Sequence, residues 1–329
     1  MKKISFALVG AGKMGTRWAG VLSKNKDVSL DIIIDSSLDK AAKLLNPDSY
    51  YASTDIKSIL EVDAVLVAVP HKYLFPITGF ALKSDKHVLC EKPGAITSGQ
   101  ITKNADLAKK KGLVYKIGYN YRFHDAFVKA RNLFEKGAIG DLVFIRAKHG
   151  FGGRVGYNKE WRLNKDIGGG GHLHDQGVHM IDMAKSFMGE IKKVKGLMAD
   201  NFWKAGTEDN AFVLLQDKNN VIASIHSSIT QWKRTHTFEI YGTKGYLVIE
   251  GLGMRYGDGE KLIIGKCTKD PDNPKEKTIV CNSVADDSLA LELKEFVSAI
   301  KKGTPISPTP LDAYKTLKIV EEIYRTNKK

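Results

Sequence analysis

Apolar runs of strand length alternate with helical patterns over the first 120 residues. The runs occupy residues 4–9, 28–34, 63–69, 87–90 and 114–117. Helical segments follow the first and third runs, and a further helix is predicted over 98–111. Strands that alternate with helices in this way predict a parallel sheet with helices on both of its faces.

Beyond residue 120 the pattern changes to successive strands with few helices between them. Strand-like runs occupy residues 142–148, 191–199, 210–216, 221–228, 235–241 and 246–250. Because no helical pattern separates the last five runs, they predict an antiparallel sheet. Residues 1–121 are therefore expected to form one domain and residues 122–329 a second.

Helices and loops complete the predicted second domain. A polar, glycine-rich loop is expected over 150–171, and the polar segment 254–283 is expected to hold surface strands or loops. Helices are predicted over residues 126–135, 175–188, 286–301 and 311–326. The last two helices are separated by prolines and are expected to be able to pack back on the first domain.

The turn between the first apolar run and the first helix reads G-x-G-x-x-G. Its glycines are Gly10, Gly12 and Gly15, with Lys13 and Met14 between the last two. The first glycine permits a tight turn, the second lets backbone approach a pyrophosphate, and the third lets helix and strand pack closely. The following helix would offer N–H groups and a positive dipole to the phosphates. This order of elements predicts a dinucleotide-binding unit.

An acidic residue at the end of the second run bears on the choice of dinucleotide. Asp35 lies 20 residues after Gly15, where a carboxylate can accept hydrogen bonds from both ribose hydroxyls. Ser36 and Ser37 follow, and no arginine occurs among the next four residues. A 2′-phosphate needs a cation there and would be repelled by Asp35. NAD is therefore predicted in preference to NADP, although serine hydroxyls can also bind phosphate.

Two residues follow strands of the predicted parallel sheet. Ligands of such sheets bind outside the carboxyl ends of the strands. Pro70 and Lys92 lie at such ends, so both are predicted to face the cofactor. Pro93 restricts Lys92 to extended backbone. A cation in this place can hydrogen-bond a substrate hydroxyl and stabilise the alkoxide that forms; the alternative is a surface lysine at a strand end.

The stretch 168–182, GGGGHLHDQGVHMID, carries a second candidate site. If a helix begins near Asp175, then Asp175 and His179 are four residues apart on one face and can form a general acid/base unit. The alternative is that Asp175 caps the helix and His179 is a core histidine. With His172 and His174 the pair could also suggest a metal site. Substrate contact or packing is favoured for these two histidines, and no metal is predicted.

Composition and charge exclude several classes of protein. The chain is 43% hydrophobic and 27% charged, as is usual for soluble globular proteins. No apolar run approaches the ~20 residues that span a membrane. The net charge is +14, but the lysines are spread along the chain and no nucleic-acid-binding motif appears. The three cysteines, Cys90, Cys267 and Cys281, form no disulfide framework, which favours a reducing cytoplasm.

Five segments occur together in a characteristic order and spacing. They are GAGKMG at 10–15, KHVLCEKP at 86–93, GYNYRF at 118–123, WR at 161–162 and DQGVHMID at 175–182. These segments resemble those of the Gfo/Idh/MocA family, which is named for glucose–fructose oxidoreductase and inositol dehydrogenase. The resemblance covers nearly the whole chain. The resemblance implies an α/β Rossmann N-terminal domain and an α+β C-terminal domain with an open, mainly antiparallel sheet. Both expectations agree with the order of elements.

The family consists largely of NAD(P)-dependent enzymes that oxidise or reduce sugars, polyols and their derivatives. The resemblance implies that Lys92 is catalytic, that His179 exchanges the hydroxyl proton and that Asp175 orients it. The candidate substrate contacts are Asn120, Arg122, Trp161, Arg162 and His172. The candidate cofactor contacts are Gly10, Gly12, Lys13, Met14, Gly15, Asp35, Pro70, His71, Glu91 and Lys92.

The chain departs from the family pattern after the third apolar run. The family usually reads TPNxxH where this chain reads VPHKYL at 69–74, so that His71 replaces Asn and Leu74 replaces His. The resemblance therefore leaves the contacts on the nicotinamide side open. The positive net charge also leaves open an anionic or nucleotide-linked sugar, for which Arg122, Arg162 and Arg154 could form a basic pocket.

The leading hypothesis is a cytoplasmic NAD(H)-dependent oxidoreductase that transfers a hydride between a sugar, inositol or sugar derivative and nicotinamide. One alternative is an NAD-dependent glycoside hydrolase of the same fold, and another is a non-catalytic regulator that senses dinucleotides. A homodimer or homotetramer is expected to form through the exposed face of the C-terminal sheet. Neither nucleic acid nor membrane is an expected partner.

Overall fold

The structure is a computed structural model that describes residues 2–46, 49, 51–253, 256–270, 272–281 and 286–327, apart from the side chains of residues 257 and 258. The chain folds into two compact units. Unit 1 comprises Met1–Tyr119 and Leu289–Leu317, and unit 2 comprises Asn120–Ser288 and Lys318–Lys329. Each unit therefore contains a segment from the C-terminal part of the chain.

Within the described residues, unit 1 contains one six-stranded sheet. Its strands are β1 (Ile4–Val9), β2 (Val28–Ile34), β3 (Tyr51–Ser53), β4 (Ala64–Val67), β5 (His87–Glu91) and β6 (Tyr115–Gly118). Neighbouring strands are parallel, and their spatial order is β3-β2-β1-β4-β5-β6. This is the order of doubly wound dinucleotide-binding domains. Burial on both faces explains why these strands are continuous apolar runs rather than alternating ones.

The helices lie mostly where the sequence pattern predicts them. In chain order they are α1 (Lys13–Lys24), α2 (Leu38–Ala42), α3 (His71–Lys83), α4 (Ser98–Lys111), α5 (Asp125–Glu135), α6 (Lys165–Gly168), α7 (Val178–Met188), α8 (Ser288–Lys302) and α9 (Pro310–Thr326). Helix α8 completes the core of unit 1. Phe296 of α8 meets Phe6 of β1 edge to face, with ring centroids 6.2 Å apart, in the same cluster as Trp18 and Leu22 of α1.

Within the described residues, unit 2 contains one eight-stranded sheet. Its strands are β7 (Leu142–Gly150), β8 (Ile191–Ala199), β9 (Asn210–Asp217), β10 (Ile222–Ser228), β11 (Thr235–Gly242), β12 (Gly245–Leu252), β13 (Tyr256–Lys266) and β14 (Lys275–Cys281). Their spatial order is β14-β13-β12-β11-β7-β10-β9-β8. Neighbouring strands are antiparallel except for the parallel pair β7 and β10.

The two faces of this sheet differ in how far they are covered. Helix α7 packs on β7 and β10, and α5 packs on β12 and β13. Alternate strand residues such as Ala147 and Phe238 are buried on the covered face. On the opposite face Phe212, Leu214 and Ile222 remain exposed. Buried and exposed positions therefore alternate along these strands, as in a sheet that is covered on one side, but these exposed residues are apolar.

One sequence prediction needs correction. The helix predicted over 175–188 does not begin at Asp175, because residues Leu173–Gly177 form a π-helical turn and the α-helix begins at Val178. The parallel pair β7 and β10 agrees with the mainly antiparallel sheet that the family resemblance implies.

Two further predictions concern the loops and a possible membrane span. The polar segment 254–283 contains β13 and β14, and residues 254, 255, 271, 282 and 283 lie outside the described residues. Within the part of the chain that the structure describes, no helix is long and apolar enough to cross a membrane.

Candidate active site

The glycine turn after β1 is packed too closely for side chains at two of its three glycines. A Cβ atom on Gly10, whose φ is +105°, would lie 2.3 Å from the carbonyl oxygen of Ala68, and one on Gly15 would lie 1.8 Å from the carbonyl oxygen of Gly10. A Cβ atom on Gly12 would meet nothing within 4 Å. Close packing within the turn therefore requires glycine at positions 10 and 15. Gly12 instead leaves the backbone at the start of α1 accessible to a ligand.

The beginning of α1 suits an anion. The helix starts at Lys13, directly after Gly12, and it has neither a side-chain cap nor an acidic residue in its first turn. The N–H groups of a first turn have no partner within the helix, and they carry the positive end of its dipole. With Lys13 and Met14 in this turn, the residues present fit the phosphates of a dinucleotide.

Asp35 connects the glycine turn to the end of β2. Its Oδ2 accepts a hydrogen bond of 2.8 Å from the backbone N–H of Ala11, and its Oδ1 accepts one of 2.9 Å from the backbone N–H of Ser37. These contacts fix the carboxylate beside the turn. A carboxylate in this place favours ribose hydroxyls over a 2′-phosphate.

The other predicted cofactor contacts lie along the same edge of the sheet in unit 1. Pro70 precedes α3, and His71 is the first residue of that helix and is buried. Lys92 follows directly on β5, which ends at Glu91. Because β1, β4 and β5 are neighbours in the parallel sheet, their carboxyl ends share one edge. The structure thus brings the glycine turn, Pro70, His71 and Lys92 to a common edge.

Glu91 also has a contact that the sequence does not reveal. The indole N–H of Trp18 on α1 donates a hydrogen bond of 2.7 Å to Glu91 Oε1. Burial raises the pKa of the Glu91 carboxyl, and the bond from Trp18 and the charge of Lys92 oppose this shift. Glu91, the residue before Lys92, is therefore joined by a hydrogen bond to α1, the helix that follows the glycine turn.

Unit 1 contains buried ionisable groups that the sequence motifs do not predict. Lys116 of β6 is fully buried, and its Nζ lies 2.6 Å from Glu295 Oε2 and donates to the carbonyl oxygen of Ser307 at 2.9 Å. Glu292 on α8 is also fully buried, which raises its pKa to about 8, although Lys116 opposes the shift. The one sequence feature that could have indicated this buried charge is a lysine within a strand that should be buried on both faces of the sheet.

In unit 2 the predicted acid/base pair belongs to the π-helical turn and the first turn of α7. Asp175 is 4% exposed and His179 is 3% exposed. The His179 ring stacks on Tyr121 with centroids 3.8 Å apart and an interplanar angle of 10°. The Asp175 Oδ2 lies 3.5 Å from Nε of Arg162. Since Gly177 precedes the α-helix, Asp175 is not its N-cap.

The glycine run before this turn is explained by two residues distant in sequence. A Cβ atom on Gly170 would lie 2.1 Å from Oη of Tyr324, and one on Gly171 would lie 2.1 Å from the carbonyl oxygen of Glu208. Glu208 accepts hydrogen bonds from the N–H groups of Gly171 and Leu173, at 3.1 and 2.9 Å, and from the Tyr324 hydroxyl at 2.8 Å. Burial raises the pKa of Glu208, which these bonds oppose. No sequence motif marks Glu208 or Tyr324.

Each arginine considered for an anionic substrate has a carboxylate partner. Arg122 binds Asp182 through two hydrogen bonds of 2.7 Å. Arg162 lies near Glu160 as well as Asp175, and Arg154 Nη2 is 2.5 Å from the same Glu160. These pairs lower the net positive charge of the surroundings.

The remaining predicted substrate contacts are also engaged within unit 2. Asn120 donates a hydrogen bond of 2.9 Å to the Ser288 hydroxyl. The Arg162 guanidinium lies 4.5 Å from the centroid of the Trp161 ring. His172 is buried, and its ring centroid lies 5.5 Å from that of Phe151. Among the residues that the structure describes, no three His, Cys, Asp or Glu side chains are arranged to hold a metal ion.

Two family models match the chain. The model described as "Oxidoreductase family, NAD-binding Rossmann fold" matches residues 4–119. The model described as "GFO/IDH/MocA C-terminal domain" matches residues 127–248. Together the two models cover most of unit 1 and the sheet-forming part of unit 2 up to β12.

Curated proteins and solved structures resemble the chain over almost its full length. Levoglucosan dehydrogenase of Pseudarthrobacter phenanthrenivorans is 24% identical, with 98% of this chain and 96% of that protein covered. Inositol 2-dehydrogenase of Rhizobium meliloti is also 24% identical, with the same coverage of 98% and 96%. A structure of levoglucosan dehydrogenase with NADH and levoglucosan superposes with a TM-score of 0.86 at 22% identity, covering 99% of this chain and 97% of that one. This structural similarity shows that the two chains share a fold.

Proposed function

This chain is an NAD-dependent oxidoreductase of the GFO/IDH/MocA family, and we propose that its substrate is a sugar, an inositol or a sugar derivative. In the proposed reaction a hydride passes between a carbinol carbon of the substrate and nicotinamide. The relatives named levoglucosan dehydrogenase and inositol 2-dehydrogenase support this class of substrate. The carboxylate partners of Arg122, Arg154 and Arg162 favour a neutral sugar over an anionic one.

The observation that carries the proposal is the buried pair Asp175 and His179, in a chain that also has the glycine turn and Asp35. A buried imidazole stacked on Tyr121 has a fixed ring plane, which suits proton transfer to one hydroxyl. Buried acid/base groups are candidates for catalysis, and a regulator that only senses dinucleotides does not require them.

The proposed roles follow from the chemistry of each side chain. NAD, when bound, supplies the acceptor for the hydride. As the carbinol C–H bond breaks, His179 takes the hydroxyl proton, so that a carbonyl forms without a free alkoxide. Lys92 stabilises the negative charge that develops on the oxygen. Asp175 orients the His179 ring and stabilises its protonated form.

A panel of neutral sugars tests the proposal. Glucose, levoglucosan and myo-inositol are each mixed with the protein and NAD, and the absorbance of reduced nicotinamide is followed. We expect turnover of at least one of them. We expect His179→Gln and Lys92→Gln to lower kcat by roughly 10²- to 10⁴-fold, the usual contribution of a positioned acid/base group.

Matched controls separate chemistry from folding. His87→Gln and Lys86→Gln alter the same residue types in unit 1, where His87 accepts a hydrogen bond from the N–H of Val114 and Lys86 donates to the carbonyl oxygen of Leu60. Both controls should keep near wild-type turnover. NAD affinity, measured by quenching of tryptophan fluorescence, should survive His179→Gln. Full turnover by either His179→Gln or Lys92→Gln would show that the assigned chemistry is wrong.

A further inference from the structure

Four buried histidines surround the ring of Tyr121 in unit 2. Their ring centroids lie 3.8 Å (His179), 5.7 Å (His124), 5.8 Å (His149) and 6.0 Å (His236) from that of Tyr121. His179 is the proposed acid/base group. His124 is bound through Nδ1 to Oε2 of Glu260 at 2.7 Å, so it has a structural partner. His149 and His236 have no role in the proposed reaction.

His149 and His236 form a direct pair across two strands. They lie opposite each other in the register of β7 and β11. Their Nδ1 atoms are 3.2 Å apart, and the side chains are 0% and 2% exposed. No described hydrogen-bond partner meets Nε2 of either ring. The pair is therefore joined on one side and has two buried, unsatisfied nitrogen atoms on the other.

The contact between the Nδ1 atoms determines what the Nε2 atoms can do. Burial, as the largest cause, lowers the pKa of both imidazoles, to about 3 for His236, so both rings are neutral near pH 7. In a hydrogen bond between two neutral rings, one Nδ1 carries the proton and the other accepts it. The first ring then has a bare Nε2, which accepts, and the second has an Nε2–H, which donates. The pair thus presents one acceptor and one donor.

We propose that Nε2 of His149 and Nε2 of His236 form a subsite that binds hydroxyl groups of the substrate. A hydroxyl can both donate and accept, so one hydroxyl or two neighbouring ones satisfy both nitrogens. A carboxylate or phosphate only accepts and an ammonium only donates, so each leaves one nitrogen unsatisfied. The class of ligand is therefore a neutral polyhydroxylated compound.

The position of the pair connects the subsite with the acid/base group. Both histidines and His179 have the Tyr121 ring as a neighbour, and the His172 ring lies 6.2 Å from that of His149. A sugar hydroxyl held by the pair would therefore lie within the same group of side chains as His179. The inference rests on the proposed function and adds residues that determine specificity rather than residues that react.

Asparagine and glutamine variants separate the two ends of each ring. The amide of Asn reaches the Nδ1 position but offers nothing at Nε2, whereas the amide of Gln reaches the Nε2 position. On a sugar that the wild type oxidises, we expect His236→Asn and His149→Asn to lower kcat/KM by roughly tenfold to a hundredfold, because a buried substrate hydroxyl loses its partner. We expect the Gln variants to recover much of this loss. His87→Asn in unit 1 is the matched control and should change nothing.

Monodeoxy derivatives of the same sugar identify the hydroxyl. One derivative should be slow with the wild type and should not be slowed further by His236→Asn, because the hydrogen bond is already missing. An equal loss on the parent sugar and on every deoxy derivative would mean a merely structural role and would overturn the subsite. Unchanged kcat/KM for the Asn variants would also overturn it.

A measurement on the wild type covers the case in which the variants do not fold. In protein with ¹⁵N-labelled histidine, the two rings should show opposite tautomers, and both Nε2 resonances should shift when the sugar is added to the NAD-saturated protein. Identical tautomers, or no shift at a saturating sugar concentration, would refute the subsite while turnover still supports the proposed function. If no sugar of the panel is oxidised, the proposed function fails and the subsite fails with it.

Discussion

Histidines that burial keeps neutral make the folded chain less stable as the pH falls. The pKa of His236 is lowered to about 3, mainly by burial, and that of His149 is lowered well below its ordinary value. Between the folded pKa and the unfolded value of about 6.5, only the unfolded chain binds the proton. The free energy of unfolding therefore decreases as the pH falls below about 6.5.

This effect can be isolated at His236. From pH 7 to pH 5 one such histidine lowers the free energy of unfolding by about 2 kcal/mol. In urea unfolding followed by tryptophan fluorescence, His236→Gln should lose about 2 kcal/mol less than the wild type over this interval. The difference in the free energy of unfolding between His236→Gln and the wild type at pH 7 gives the cost of altered packing separately. Equal losses for both proteins between pH 7 and pH 5 would contradict a neutral, buried His236.

Sequence motifs identify residues whose chemistry depends on their neighbours in the sequence. Gly10, Gly15 and Asp35 belong to one unit of strand, turn, helix and strand, and the structure places them together. Glu208 and Tyr324 could not be predicted, because they reach the glycine run from 37 or more residues away in the chain. Whether the predicted catalytic and substrate-binding residues act as assigned stays a prediction.

At the scale of elements, periodicity predicts helices and strands well and predicts unusual turns poorly. The bounds predicted for α4 and β1 agree with the structure. The π-helical turn at Leu173–Gly177 was missed because apolar spacing does not distinguish a wide first turn from an α-helical one. Glu208, which is distant in sequence, binds the N–H groups of Gly171 and Leu173 at the start of this segment.

The close packing of Gly170 against α9 gives a test at this scale. Gly170→Ala would place its Cβ atom 2.1 Å from the Tyr324 hydroxyl, and we expect it to lower the free energy of unfolding by about 1–3 kcal/mol. In a Tyr324→Phe background the further loss should be smaller, because the hydroxyl is absent. Thermal or urea unfolding of the wild type, the two single variants and the double variant gives the coupling free energy between the two positions.

Gly20 is the matched control for this substitution. It lies inside α1, and a Cβ atom there would meet nothing within 4 Å. Gly20→Ala should therefore stabilise the chain by about 1 kcal/mol, through helix propensity alone. If Gly170→Ala were as stable as Gly20→Ala, the glycine run would not be required by packing.

At the scale of the whole molecule, the uncovered face of the unit 2 sheet has the properties of an interface. Leu197, Phe212, Leu214 and Ile222 are 75%, 55%, 50% and 46% exposed. Leu197 and Phe212 are opposite each other in the register of β8 and β9, so they form a contiguous apolar surface. Large contiguous apolar patches on a protein surface often mark interaction sites. We propose that a second copy of the chain covers this face.

Phe212→Glu tests this proposal by placing a charge in the apolar surface. In size-exclusion chromatography with light scattering, we expect the wild type to be a dimer or tetramer and the variant to be a smaller species. Leu38→Glu, at a leucine of unit 1 that is 51% exposed, should leave the mass unchanged. A monomeric wild type, or a Phe212→Glu variant of unchanged mass, would contradict the proposed interface.

The overall architecture was predictable because both sheets leave strong patterns in the sequence. Strands that alternate with helices predicted the parallel sheet, and successive strands without helices between them predicted the second sheet. Both are confirmed together with the family. The substrate could not be predicted, because specificity depends on side chains such as His149 and His236, which only the paired strands bring together.

In the proposed reaction a hydride moves directly between a substrate carbon and nicotinamide. The most direct test uses a sugar of the panel that carries deuterium on its ring carbons, incubated with the protein and NAD in ordinary water. We expect mass spectrometry to show reduced nicotinamide that carries one deuterium, with one molecule of oxidised sugar formed for each molecule of reduced nicotinamide. Loss of the label to water, or cleavage of a glycoside with no net reduced nicotinamide, would contradict it.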